Sequence, residues 1–282
     1  MTKRIICSGG RVVDLATPVV MGILNITPDS FYDGGSYLTP DDQLRRAEKM
    51  LEDGAAILDI GAVSTRPGAA VVGEEGELER ILPTLKVLRS HFPGCVLSVD
   101  TFRPVVARAA ADHGADIIND IYGGRYAPDM LSTVAALKLP YILMHMKGTP
   151  ENMQRDPVYS DVVAEVTYFF EHRIDCCRNE GITQVIVDPG FGFGKTVDHN
   201  FRLLAGLNAF QWPGVPLLAG LSRKSMINRS LGTLPDEALN GTTVVNTLAL
   251  MNGADILRVH DVKEAVEAVR LVEQYRKSLP SG

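Results

Sequence analysis

Eight short apolar runs in this sequence each end in side chains able to bind a polar ligand or hold a proton. In order they are Asn25, Asp59, Asp100, Asn119 with Asp120, His145, Asp188, Ser222-Arg223-Lys224 and Arg258-His260-Asp261. Asn and Asp also cap helices and start turns, which accounts for one or two such positions. It does not account for eight. The set divides by charge. Lys224, Arg258 and His260, joined by Arg66 from the loop after the second run, suit an anion such as phosphate or pyrophosphate. There Arg offers a planar fork and Lys a point charge. Asp100 and Asp188, with Asn119, suit a flat neutral heterocycle, because a carboxylate can take two N–H bonds from a donor-rich edge. The ligand these residues ask for has a donor-rich planar end and an anionic end.

One stretch, DPGFGFGKT at 188–196, has the look of a nucleotide loop. The G-x-x-x-x-G-K-[ST] pattern places Gly194, Lys195 and Thr196 correctly but needs glycine at Pro189. The G-x-G-x-x-G pattern begun at Gly190 needs glycine at Lys195. Each register fails at a residue its mechanism requires. The glycines instead let backbone, with Phe191 or Phe193 between them, lie against a planar ligand.

Parallel strands positioned by helices are what would gather these residues. The strands expected are Val19–Thr27, Ile57–Gly61, Val96–Asp100, Asp116–Asp120, Tyr141–His145, Val185–Asp188, Leu217–Leu221 and Ile256–His260. Runs that are apolar throughout suit a sheet covered on both faces. Helical spacing lies between them, as in Val262, Val266, Val269 and Val272. A design recurs in Gly54-Ala55-Ala56, Gly114-Ala115-Asp116 and Gly253-Ala254-Asp255: glycine ends a helix, alanine turns the corner and a strand follows. Eight such units without a break in composition predict a (β/α)8 TIM barrel, with its site at the carboxyl ends of the strands. An open doubly wound sheet is the alternative, since periodicity does not report closure.

The loops at 27–38 and 61–75 are long, rich in Gly and Pro, and carry Phe31, Tyr32, Thr65, Arg66 and Pro67. They read as substrate-covering loops. A net charge of −6 over 282 residues argues against a nucleic-acid surface. No apolar run approaches a membrane span, and no signal peptide is read at the start. The four cysteines, two of them adjacent, make a poor disulfide framework, so reduced thiols and a cytoplasmic setting are expected. No zinc motif is present. Met144 and Met146 read as packing or ring-lining residues, Asp120 as a turn residue or ring member, and His145 as either a packed histidine or part of the site.

The chain resembles dihydropteroate synthases from end to end. The resemblance is carried by MGILNITPDSFYDGG (21–35), STRPGA (64–69), SVDT (98–101), IINDI (117–121), LMHMKGTPENMQ (143–154), DPGFGFGK (188–195), SRKSMI (222–227) and RVHDVKE (258–264). It implies one pterin-binding barrel over 1–282. The implied reaction condenses 6-hydroxymethyl-7,8-dihydropterin pyrophosphate with p-aminobenzoate, releasing pyrophosphate and 7,8-dihydropteroate. By resemblance Asp100, Asn119, Asp188 and Lys224 bind the pterin, with Phe193 and Met144 against its ring. Asn25, Arg258 and His260 hold the pyrophosphate, Asn25 also facing Mg2+. Thr65, Arg66, Pro67, Phe31 and Ser222, with Arg223 beside them, form the p-aminobenzoate side. The family further implies a homodimer and competition by sulfonamides. The chain departs from the common GGESTRPG in reading GAVSTRPG, with Ala62 and Val63, which is expected to alter loop mobility rather than abolish activity. Two rivals share the ring site. A pterin-binding methyltransferase acting on methyltetrahydrofolate would not need the TPDSF, STRPG and SRK segments. An inactive binding module would be expected to lose Lys224, Arg258 or His260, and all three are present.

Overall fold

Three of the βα repeats start their strands from the same local chemistry. Gly54, Gly114 and Gly253 follow helices with φ of 102°, 93° and 95°, a conformation that strains any residue with a Cβ. The alanines after them are buried beneath the start of the next strand, so the recurring Gly-Ala design is a helix-to-strand corner. The computed structural model describes residues 3–26, 39–63, 72–150 and 152–280.

An antiparallel hairpin, β1 (Arg4–Ile6) and β2 (Val12–Asp14), comes first. The repeats then run β3 (Val19–Asn25), α1 (Pro40–Glu52), β4 (Ile57–Gly61), α2 (Glu74–His91), β5 (Val96–Asp100), α3 (Pro104–Asp112), β6 (Ile117–Asp120) and α4 (Met130–Leu137). They continue through β7 (Tyr141–Met144), α5 (Val162–Asn179), β8 (Val185–Asp188), α6 (Val197–Ala205), β9 (Leu218–Ala219), α7 (Ser225–Leu231), α8 (Leu239–Met251), β10 (Ile256–Val259) and α9 (Val262–Lys277). Side-chain capping is clear at the starts of α1 and α5: Thr39 and Asp42 form a reciprocal capping box at the first, and Asp161 accepts from Val163 and Ala164 at the second.

The eight strands β3 to β10 pair in parallel in the order β8-β7-β6-β5-β4-β3-β10-β9. A parallel bridge between Val187 and Leu217, with Val187 N donating to Pro216 O at 2.9 Å, joins the two ends. The barrel is therefore a TIM barrel, not an open sheet. Its strands are shorter than expected at the carboxyl ends: Asn25, Met144 and Val259 are the last paired residues of theirs, and β9 is reduced to two residues. His145 and His260 thus stand on the loops just above the strands.

The strands that read as uniformly apolar alternate once in place. Leu58, Ile60, Leu97, Val99 and Val187 face the helices as part of the main core. Met21, Ile57, Val96, Ile117, Ile142, Ile186, Leu218 and Ile256 fill the amino-terminal floor of the barrel. The N-terminal hairpin, which the sequence pattern did not reveal, plugs that floor with Ile5, Cys7, Val13 and Leu15. The Gln184 side chain pins it by bonding both N and O of Ile6, at 2.7 and 2.8 Å. Asp116, at the foot of β6, is fully buried between Arg11 and Arg89, both at 2.6 Å. The floor is thus sealed and apolar, leaving the upper half of the barrel for polar side chains.

Candidate active site

One step up from the apolar floor, the inward positions become polar. Asp59 pairs in register with Ile23 on one side and Ser98 on the other. It sits in the middle of β4, so it is a barrel-interior residue and not a strand end. Its Oδ2 accepts from Arg258 Nε at 2.6 Å and from Asn119 Nδ2 at 3.1 Å. Its Oδ1 is buried with no protein partner, as is Ser98 Oγ. Arg258 spans upward to Asp100, Nη2 to Oδ2 at 3.1 Å. Two carboxylates and an amide from β4, β5 and β6 are thereby organised around one guanidinium from β10.

Charge balance there is unusual. Asp100 leaves about a fifth of its side chain open (19%), yet burial raises its pKa to about 7; Arg258 opposes the rise, and Asp59, Glu77 and Asp120 add to it. Asp188 is also held above the usual carboxylate range by burial, against the Gly190 N–H and the charges of Lys224, Arg258 and Lys195. Burial, then the neighbouring Arg258, brings Lys224 down to about 8. Asp100 and Lys224 thus titrate near neutrality, which suits a site that must match an ionised ligand.

Around this ring lies an apolar wall. Met144, with Phe102, Ile121, Met146 and Met153, packs with Phe193 and Tyr122. Lys224 Nζ stands 4.4 Å over the centre of the Phe193 ring, a cation–π contact that sets the amine beside a flat surface. The Phe193 loop is itself tightly fixed. Gly190 has φ 68°, and a Cβ there would overlap the His145 carbonyl oxygen, so the expected close approach of backbone is real. Asp188 Oδ1 accepts from Gly190 N at 2.8 Å.

Away from the ring, Ser222 Oγ and His260 Nδ1 lie 3.0 Å apart. Burial, and then Arg258, Arg46, Lys224 and Arg223, pull His260 down to about 3. It is a neutral imidazole and offers hydrogen bonds, not the positive charge that the sequence grouping with Lys224 and Arg258 suggested. Arg223 turns its guanidinium onto Asp261 in a two-point pair at 2.8 and 2.7 Å. Asp120 accepts from Tyr122 N, Gly124 N and the Tyr141 hydroxyl at 2.7, 2.8 and 2.6 Å; it is a turn residue and not a ring member. Phe31, Thr65, Arg66 and Pro67 lie outside the described residues. Ala62 is fully buried and its carbonyl accepts from Arg80 Nη1 at 3.0 Å.

Asn25 ends β3 at the height of Gly61 and Asp100, its strand-to-strand neighbours. Its Oδ1 is 3.3 Å from where a Cβ on Gly61 would stand, so the glycine keeps the space beside the amide oxygen open. Among the described residues no three acidic, histidine or cysteine side chains converge as a cation cage. A single amide oxygen is nevertheless compatible with Mg2+, which keeps waters and usually takes further ligands from substrate phosphates.

Asp59 and Lys195 are the site residues that sequence reasoning passed over. Asp59 reads in the sequence as one more strand-end carboxylate, and nothing in its spacing marks the pairing with Arg258. Lys195 was weighed only as a phosphate-loop lysine, whereas it is 3% exposed and turned inward beneath the Phe193 loop.

Known proteins resemble this chain in sequence and fold. A family profile described as "Pterin binding enzyme" matches residues 21–260. The dihydropteroate synthase of Escherichia coli strain K12 is 48% identical over 266 residues, 94% of each chain. Among solved structures, Yersinia pestis dihydropteroate synthase with a sulfonamide drug superposes with a TM-score of 0.93 at 44% identity, covering 98% of this chain and all of that one. Xanthomonas albilineans dihydropteroate synthase with 4-aminobenzoic acid gives a TM-score of 0.90 at 44% identity, covering 99% of this chain and all of that one. Identity at this level along the whole barrel, with a polar ring seated above a plugged floor, means that the chain belongs to the dihydropteroate synthase family of pterin-binding enzymes.

Proposed function

We propose that this chain condenses 6-hydroxymethyl-7,8-dihydropterin pyrophosphate with p-aminobenzoate, giving 7,8-dihydropteroate and pyrophosphate. The observation that carries the reading is the interior ring of Asp100, Asn119, Asp188 and Lys224 organised around Arg258. Its acidic and amide groups match the amino and ring N–H donors of a pterin, and Lys224 matches the pterin carbonyl or N5. Phe193 and Met144 supply a flat apolar wall for the ring.

The pterin methylene then lies toward Asp100, at the mouth of the barrel. Heterolysis of its C–O bond sends the electron pair to pyrophosphate and leaves a cationic methylene. An ionised Asp100 stabilises that charge in a site that excludes most water, an effect typically of several kcal/mol. The p-aminobenzoate nitrogen attacks the methylene and loses a proton, and no covalent enzyme intermediate is needed. His260 donates a hydrogen bond on the pyrophosphate side, and Ser222, 3.0 Å from its Nδ1, borders the p-aminobenzoate side. Asn25 would hold Mg2+, which when bound supplies charge neutralisation to the departing pyrophosphate. Sulfonamides would compete for the p-aminobenzoate position, for which Phe31, Thr65, Arg66 and Pro67 remain the candidates.

A homodimer is part of the same reading. The groove between α8 and α9 has a volume of about 840 Å3 and is lined by Leu239, Thr247, Met251, Leu271 and Tyr275 among others. Leu271 is 72% and Met251 45% exposed. An apolar strip of this kind on the outside of a barrel supports pairing with a second copy. No helix among the described residues is long and apolar enough to cross a membrane.

The deciding experiment mixes the purified protein with the pterin pyrophosphate and Mg2+, with and without p-aminobenzoate, and measures pyrophosphate and dihydropteroate. Dihydropteroate formed only in the complete mixture supports the synthase. Pterin binding without product would remove the condensation and revive the methyltransferase, which the curated relatives do not favour.

A further inference from the structure

Lys195 has no place in the chemistry above, yet few lysines are so fully enclosed. Its ammonium meets Gly190 O at 2.9 Å, Phe193 O at 3.0 Å, His145 Nδ1 at 3.0 Å and His145 O at 3.3 Å. Two of these carbonyls belong to the loop that follows Asp188, and the histidine belongs to the loop that follows Met144. The amine therefore ties together the two strand ends, β7 and β8, that supply the apolar wall and one ring carboxylate.

The rest of the same loop is bonded from outside. Gln154 Nε2 donates to Gly192 O at 2.7 Å and Tyr159 Oη to Gly194 O at 2.9 Å. Asn200 Oδ1 accepts from Gly192 N at 2.7 Å. Lys195 reaches the loop from the buried side. With glycine at 190, 192 and 194, all at positive φ, the loop has little conformational preference of its own. Its shape has to come from bonds such as these.

We propose that Lys195 is a positioning residue for the pterin pocket: its ammonium, seated on His145 and on the carbonyls of Gly190 and Phe193, fixes the loop that presents Phe193 to the ligand and orients Asp188. Several observations agree. His145 is held well below its ordinary pKa by burial and by Lys195, so the neutral ring accepts the lysine proton at Nδ1. Phe193, once placed, forms the surface over which Lys224 sits. Lys195 also acts on Asp188 through space, its charge favouring the ionised carboxylate. Burying a lysine is costly, and burial draws this one down to about 7. A methionine would fill the same tunnel more cheaply, so the charge is kept for what it holds.

The proposal rests on the pterin reading of the ring, and the experiment separates the two. Wild type and K195M are compared for KM of the pterin pyrophosphate, KM of p-aminobenzoate, kcat and thermal midpoint. A positioning role predicts a rise of about tenfold or more in the pterin KM, a smaller fall in kcat and little change in the p-aminobenzoate KM. A purely structural lysine would lower the midpoint and the active fraction and leave the pterin KM as it was; that result overturns the proposal. Should K195M not fold, H145F removes the Nδ1 partner of the ammonium and leaves the lysine and its carbonyl partners in place. A several-fold rise in the pterin KM alone then supports the proposal, and unchanged constants overturn it. Wild-type protein that binds no pterin would instead overturn the reading of the ring, and this proposal with it.

Discussion

Replacing Asp59 by Asn isolates the electrostatics of the ring with little change of shape. Both bonds that Asp59 makes, to Arg258 Nε and Asn119 Nδ2, end on Oδ2, while Oδ1 has no protein partner. An asparagine can therefore keep its carbonyl oxygen where Oδ2 was and place its amide where Oδ1 was. What disappears is the negative charge. Asp59 raises the pKa of Asp100, and it also shares the Arg258 guanidinium that opposes that rise. Removing the charge acts on Asp100 in one direction, downward from about 7. Two carboxylates ~6 Å apart across a guanidinium, at an effective dielectric of ~20, repel by about 2–3 kcal/mol. One pH unit corresponds to about 1.4 kcal/mol, and the open side of Asp100 screens part of the repulsion. The acid limb of the kcat/KM profile should therefore move to lower pH by about one unit. The assay is dihydropteroate formation from pH 5 to 9, with about 0.5-unit steps being fine enough to resolve such a shift. A D59N limb that stays in place, or moves to higher pH, would refute an ionised Asp100 coupled to Asp59 through Arg258.

Four further outcomes are expected. The wild-type profile should fall as pH rises through about 8, where Lys224 loses its proton; a profile that stays flat to pH 10 would exclude the charged amine from catalysis. The depressed Lys224 and Lys195 also fix a sign for stability. Between about 7–8 and 10.5 the unfolded chain holds protons that the folded one has released, so their contribution to stability rises with pH across that window. G190A forces a Cβ into the His145 carbonyl at φ 68°, costing about 2–4 kcal/mol. At ~2–4 °C per kcal/mol, calorimetry should show the midpoint falling by about 5–15 °C, and an unchanged midpoint would contradict the packing described. L271E places a charge on the α9 side of the apolar groove and should shift sedimentation toward monomer with the barrel intact; an unaltered dimer would move the interface elsewhere.

Much of the architecture was legible because its signals are local. The Gly-Ala corners, the apolar runs and the polar residues at their ends lie a few positions apart, so eight βα units and most ring members follow from spacing. Depth was not legible. Asp59 and Asp100 look alike in the chain, but β4 continues two residues past Asp59 while β5 stops at Asp100, which buries one in the barrel and leaves the other at its mouth. Lys195 was hidden for a similar reason: its partners on His145 are fifty residues away, and no nearby pattern marks a lysine that points inward. The N-terminal hairpin is two three-residue strands around a Gly-Gly turn, too short for alternation to show.

That hairpin has a consequence for how the protein is made. Ile5 and Val13 belong to the same buried cluster as Leu218 and Ile256, so the hairpin, synthesised well ahead of β9 and β10, waits for them before it can be fully covered. At ~5–20 residues per second, the wait is about 10–50 s, during which a short apolar hairpin and an unclosed sheet edge are both exposed. The final βα units thus complete two seams together, the side of the barrel and its floor. A chain cut short after β8 would lack the bridge from Val187 to Leu217 as well as part of the seat for the plug, leaving a body open along one side and underneath, the form in which chaperones and proteases would meet it.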